Sequence, residues 1–207
     1  MKSYTIKKAE NANMAIGNPG WEKAEKGVID QYPWKKEEKR CPNTVFSILY
    51  DDRGIGVLFE SDETDLLLLT QEMNDETIWC DSCVEFFFNP DPQNSERYLS
   101  FELSATGAML VNIGRDRFDR EFYREDFSIF EIETRIEENG WQAKLFIPYH
   151  FLHQYYSGIS KHMRGNLQKC SGNPRIFHTG SWNLIENSFP DFHLFKYFGN
   201  LDLETNI

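Results

Sequence analysis

The stretch Trp79-Cys80-Asp81-Ser82-Cys83-Val84-Glu85-Phe86-Phe87-Phe88 decides how this chain is read. Its second half is dense in β-formers, and in a strand successive side chains point to opposite faces. Val84, Phe86 and Phe88 then share one face, and Glu85 and Phe87 the other. The first face is core. The second carries an acid beside an aromatic ring, and is either solvated surface or the floor of a site for something polar.

Working outward, residues 98–105 alternate with the same period, which turns Leu99, Phe101, Leu103 and Ala105 inward and Tyr98, Ser100, Glu102 and Ser104 outward. Residues 45–50 and 55–61 flank the turn Asp51-Asp52-Arg53-Gly54 as a hairpin, and residues 129–136 and 141–147 flank the Asn139-Gly140 turn as another. Further strands are expected over 65–72, 108–113 and 200–204, with a short helix over 151–156. Short strands with turn signals roughly every ten residues, and almost no amphipathic helix, give an all-β fold, an antiparallel β-sandwich. Residues 1–44 lack sustained periodicity and read as an irregular arm laid over one domain spanning 1–207, anchored by Trp21 and Trp34.

A chain of 207 residues, 40% hydrophobic, can bury a sizeable core. The formal net charge of -11 argues against nucleic acid as a partner, because phosphate binding needs clustered Lys and Arg. No apolar run approaches the roughly 20 residues that span a bilayer, so no membrane segment is expected. The N-terminus has no apolar leader core, which points to the cytoplasm, or to secretion if a leader has been removed. Cys80-x-x-Cys83 invites a zinc reading that only Cys170 and His178 could complete; buried free thiols are the simpler alternative.

Phosphate loops, Gly-x-Ser-x-Gly elbows and His-Glu-x-x-His helices are missing from the sequence. Glu85 and Glu102 on neighbouring strands would suffice for a two-carboxylate glycoside hydrolase. Recognition of a neutral sugar needs flat aromatic faces for ring C–H groups and polar side chains for hydroxyls. Trp79, Trp182, Glu85, Glu102, Arg115 and Asn183 supply these, although on residue type alone a tryptophan is more often core.

Several motifs then follow in one order: Trp79-x-Asp81-Ser82-x-Val84-Glu85, Tyr98-x-x-Phe101-Glu102, Gly165-Asn166-x-x-Lys169-Cys170, Ser181-Trp182-Asn183, Pro190-Asp191-Phe192-His193 and Phe198-Gly199-x-Leu201. The series resembles the stand-alone relatives of family 9 carbohydrate-binding modules. The resemblance implies a DOMON-like, jelly-roll-like sandwich and non-catalytic binding of a mono- or oligosaccharide between two tryptophans. By position it makes Trp79 and Trp182 the stacking pair and Glu85 the hydroxyl acceptor, with Glu102 and Asn183 assisting; Arg115 is added from its loop position. It also implies structural calcium in some members, for which Asp51, Asp52, Asp62 and Asp65 offer oxygen ligands, and haem binding in part of the wider DOMON-like group. The sequence departs from the pattern at Ser100 and Ser104, where relatives place Asn, and at Leu167-Gln168, which replace an aromatic pair.

Overall fold

The computed structural model describes residues 1–10, 13–35, 40–66, 71–173 and 175–205. Its strands are β1 (Ser3–Lys8), β2 (Gly27–Ile29), β3 (Thr44–Tyr50), β4 (Gly54–Ser61), β5 (Cys83–Asn89), β6 (Tyr98–Ser104), β7 (Met109–Gly114), β8 (Arg120–Phe122), β9 (Glu133–Glu137), β10 (Gly140–Pro148), β11 (His162–Ser171), β12 (His178–Ser181) and β13 (Gly199–Leu203). One short helix, α1 (Tyr149–Leu152), follows β10. The hydrogen-bonded order is β8-β7-β6-β5-β11-β13-β1-β3-β4-β10-β9, with β12 added to β11 and β2 to β3.

β1 joins the two layers. Its residues Ser3 to Ile6 pair with Asn200 to Leu203 of β13, while Lys7 and Lys8 pair with Leu49 and Tyr50 of β3. Both pairings are parallel, so the sheet is mixed. The N-terminal segment is therefore irregular only in part: Ser3–Lys8 and Gly27–Ile29 belong to the sheet. Only four residues, Ser3-Tyr4-Thr5-Ile6, alternate before the lysines begin, too short a run to stand out until a partner strand is supplied. Tyr4 and Ile6 point into the core, and the Tyr4 hydroxyl accepts from the Ile48 backbone N–H at 2.9 Å. The two tryptophans nearby do anchor the surrounding loops. Trp21 is buried in a 3-10 turn (Pro19–Lys23), and the Trp34 indole donates to the Asn187 carbonyl at 2.8 Å.

Inside the sandwich, Val84, Phe86, Phe88, Leu99, Phe101 and Leu103 from one layer meet Phe46, Ile48, Val57, Phe59, Leu145 and Ile147 from the other. The alternation expected for β5 and β6 thus holds on the inner face. Both hairpins form as well. Asp51 closes the first, its Oδ1 accepting from the backbone N–H groups of Arg53 and Gly54. At the second, Gly140 takes φ +147°, a value that favours glycine, and β9 starts later than expected because residues 127–130 form a 3-10 turn. The helix expected over 151–156 begins two residues earlier. Of the strand expected over 65–72, residues 67–70 lie outside the described residues, and the described flanks are not strand.

β11, ten residues long, is the longest of the strands that periodicity did not reveal. Its Lys169 is completely buried and satisfied from far away in sequence. The ammonium sits 2.9 Å from Glu63 Oε2, 2.9 Å from His178 Nε2 and 5.4 Å from the Trp141 ring centroid. Trp141 Nε1 donates to the same Glu63 oxygen at 3.0 Å.

Candidate binding site

The outward face of β6, β5 and β11 is not solvated surface. Register places Glu102, Glu85 and Gln168 in one row across the three strands, and Ser104, Cys83 and Cys170 in the next, with Thr179 of β12 beside Cys170. Every residue of β5 and β6 is buried, because this face is roofed on one side by residues 192–198. There His193 lies 4.8 Å from Phe87, and Phe198 packs edge-on to Tyr98 at 5.2 Å. Where that roof stops, a cavity of about 340 Å³ opens, within the roughly 300–1,000 Å³ range of small-molecule sites.

Glu85 and Glu102 form its floor, and Trp79, Phe177, Pro190 and Phe192 supply apolar wall. Trp79 is 46% exposed, an unusual state for a large ring and the state a stacking platform needs. Local structure holds it there. Ile78, fully buried, anchors the 3-10 turn Ile78–Cys80, and the Trp79 carbonyl accepts from Gly172 N at 2.8 Å. The Asp81 side chain receives the Gln71 backbone N–H at 3.1 Å, so the aspartate of the Trp79 motif ties the loop down.

Arg117, Arg120 and His193 enter from the other side. Pairing of Gly114 with Arg120 and Asn112 with Phe122 sets Arg120 on the Glu102 side of the sheet. Its Nη1 donates to His193 Nε2 at 3.2 Å, and His193 Nδ1 meets the Tyr98 hydroxyl at 2.9 Å. Burial first, then Arg120 and Arg117, push the imidazole down to about 3, so it is neutral with its proton on Nδ1. Burial also raises both acids. Glu85 is held well above the usual carboxylate range by burial and by its neighbours Cys170 and Glu102. Glu102 is pushed up to about 7 by burial, against the pull of Arg120 and the Asn112 amide beside it.

Of the six residues expected to bind ligand, Trp79, Glu85 and Glu102 come together in this cavity. Trp182, Asn183 and Arg115 do not. Trp182 is 4% exposed and lies in the main core, edge-on to Tyr4 at 6.4 Å and to Phe46 at 5.6 Å. Asn166 fixes it there: its Oδ1 accepts the Asn183 backbone N–H at 2.9 Å and its Nδ2 donates to the Asn183 carbonyl at 3.3 Å. The Asn183 side chain is buried away from the cavity, its Oδ1 accepting from the Lys2 backbone N–H at 2.7 Å. Arg115 pairs with Asp119 at 2.7 Å on the exposed side of its loop. The cavity is also lined by residues that the sequence reading did not name: Arg117 and Arg120, two and five positions further along that loop, and Phe177. His193 stood in a quoted motif without a role.

Of the four aspartates offered for calcium, Asp65 is exposed and the other three have protein partners. Asp51 closes its turn, Asp52 pairs with Lys8 and Asp62 with Arg40. Among the described residues they form no group of three converging ligands. His178 belongs to the Lys169 and Glu63 cluster, and the Cys80/Cys83/Cys170/His178 zinc set does not assemble. Among the described residues, His193 is the only histidine that lines the cavity, and no methionine does.

The chain is thus a β-sandwich with an aromatic-walled, acid-floored cavity on the outer face of one sheet, the shape of a candidate ligand site. The chain belongs to carbohydrate-binding family 9, whose model matches residues 20–203. A candidate carbohydrate-binding protein of Bacteroides uniformis ATCC 8492 superposes with a TM-score of 0.82 at 24% identity, over 98% of this chain and 99% of that one. A family 9 module of Caldicellulosiruptor kristjanssonii, solved with cellotriose, gives a TM-score of 0.65 at 13% identity, covering 100% of this chain and 95% of that one. The same module with glucose gives 0.65 at 13%, with 100% and 97% covered. No curated protein matches the chain.

Proposed function

We propose that this chain is a non-catalytic carbohydrate-binding domain that takes one or two sugar rings into the cavity beside Trp79. The observation that carries this reading is the half-exposed Trp79 indole standing over a floor of two carboxyl groups. A flat apolar face suits the C–H side of a pyranose, and Glu85, Glu102 and Arg120 present acceptors and donors to its hydroxyls. Burial and the neighbouring Cys170 and Glu102 hold Glu85 well above the usual carboxylate range, which favours a carboxyl that donates as well as accepts over the pure acceptor expected of it. Phe177 and Phe192 take the part expected of Trp182 as further apolar wall.

Glucose, cellobiose and cellotriose are the first ligands to try, given the ligands of the Caldicellulosiruptor structures, with xylose and chitobiose as contrasts. Isothermal titration should show binding to at least one of them, weakened roughly tenfold or more by Trp79→Ala. Silence towards all of them, or affinity indifferent to Trp79→Ala, overturns the reading.

One observation favours a second reading, glycoside hydrolysis. Glu85 and Glu102 stand directly opposite each other on neighbouring strands inside the cavity. Turnover of chromogenic glycosides that Glu85→Gln abolishes would establish it in place of the first.

A further inference from the structure

At the floor of the cavity lies a group of which the carbohydrate reading uses only Glu85. Cys83 and Cys170 are directly opposite on β5 and β11, and Glu85 shares their face two residues along β5. All three are buried, and their ligand atoms lie within 4.8 Å of one another. Cys170 Sγ donates to Glu85 Oε1 at 3.0 Å. Cys170 and Glu85 line the cavity, so the group has an entry path.

The charge balance is unusual. Cys83, Glu85, Cys170 and the adjacent Glu102 place four acidic groups in a buried patch, and no Lys or Arg makes an ion pair with Cys83, Glu85 or Cys170 among the described contacts. Lys169 lies next in sequence to Cys170, but its ammonium is on the core side with Glu63. Arg120 lies on the far side of Glu102, against His193. A divalent cation bound by these groups would supply the balancing positive charge.

We propose that Cys83, Glu85 and Cys170 form a three-ligand site for a thiolate-loving divalent cation of the zinc class, with its open coordination position towards the cavity. Zinc bonds of about 2.3 Å to sulfur and 2.0–2.2 Å to carboxylate oxygen set tetrahedral ligand atoms roughly 3.5–3.8 Å apart. The observed spacings, 3.0 Å for the sulfur–oxygen pair and none above 4.8 Å, bracket that figure. Binding releases the two thiol protons, and the Glu85 proton where that carboxyl is protonated, to solvent, leaves the metal redox state unchanged and needs no co-reactant. Two thiolates and a carboxylate favour zinc over calcium or magnesium, which take oxygen ligands. This site differs from a Cys80-x-x-Cys83 site, since Cys80 is not part of the group.

The proposal does not rest on the carbohydrate reading, and its test uses no sugar. The reduced full-length chain is titrated with Co²⁺ as a spectroscopic stand-in, followed by competition with Zn²⁺. The expected result is about one equivalent bound, with a thiolate-to-cobalt charge-transfer band that zinc displaces. Cys170→Ser should abolish the band and Glu85→Gln should weaken binding roughly tenfold or more, while Cys80→Ser and Cys41→Ser leave both unchanged. If Cys170→Ser does not fold, the wild-type titration and Glu85→Gln still decide. No charge-transfer band with excess Co²⁺, or a band lost in Cys80→Ser and kept in Cys170→Ser, overturns the proposal.

Discussion

Gly172 and Trp79 are packed so closely that a methyl group on Gly172 would lie 2.3 Å from the indole Cζ3. The exposed ring therefore owes its position to the absence of a side chain at the end of β11, as much as to its own turn. Gly172→Ala should move the indole, which has open space on its solvent side, and leave the rest of the sheet in place. Sugar affinity should fall roughly tenfold with a thermal midpoint within a few degrees of wild type. Unchanged affinity on titration would show that the ring position does not matter.

Trp182 makes the opposite prediction. Emptying its place between Tyr4 and Phe46 with Trp182→Ala should cost about 3–5 kcal/mol in urea denaturation, as for other buried aromatic truncations. Asn166→Ala removes an acceptor and a donor from the Asn183 backbone and should cost about 1–3 kcal/mol. Folded Asn166→Ala protein should still bind sugar. Trp79→Ala, by contrast, should change stability by under about 1 kcal/mol, since its ring is half exposed.

The buried Lys169 and Glu63 pair predicts acid sensitivity. Burial alone would raise the Glu63 carboxyl, but Lys169, His178 and the Trp141 indole outweigh it and hold it below the usual 4.5. As pH falls below about 4.5, the unfolded chain takes up a proton that the folded chain resists, so the stability from this pair is lost there. Urea midpoints measured against pH should fall through that window in wild type and less steeply in Glu63→Gln. At neutral pH, Glu63→Gln should cost about 3–5 kcal/mol, because it leaves the Lys169 ammonium buried without its counter-charge.

His193 should not titrate in the physiological range. With its pKa lowered to about 3, long-range nitrogen–proton NMR should show a neutral ring protonated at Nδ1 from pH 8 down to at least 5. Between 6.5 and about 3 the unfolded chain binds a proton that the folded chain excludes, so this group too makes the fold weaker towards acid. A midpoint near 6.5 would mean that the Tyr98 and Arg120 contacts do not hold the ring as described.

Much of this was legible where a two-residue period was unbroken. β5, β6 and the β3–β4 hairpin carry an apolar residue at every second position, and their inner faces follow. β11 was not legible, because Lys169 looks like surface until Glu63, over a hundred positions away, is placed beside it. Trp79 and Trp182 could not be told apart by residue type. What separates them is a glycine that lets one ring lie out and an asparagine clip that turns the other in. Arg115 is legible in the sequence as a loop arginine and Arg120 is not distinguished from it for a similar reason: only the Gly114–Arg120 pairing, a tertiary fact, shows which arginine of the loop lies on the Glu102 side.

The most direct test of the central claim is calorimetric titration of one sugar, the tightest of the glucose, cellobiose and cellotriose set, into wild type, Trp79→Ala and Trp182→Phe, with thermal midpoints alongside. The site described here predicts that Trp79→Ala loses affinity at an unchanged midpoint, whereas Trp182→Phe keeps affinity and melts earlier. The reverse pattern, binding kept without Trp79 and lost with Trp182→Phe at an unchanged midpoint, would contradict it.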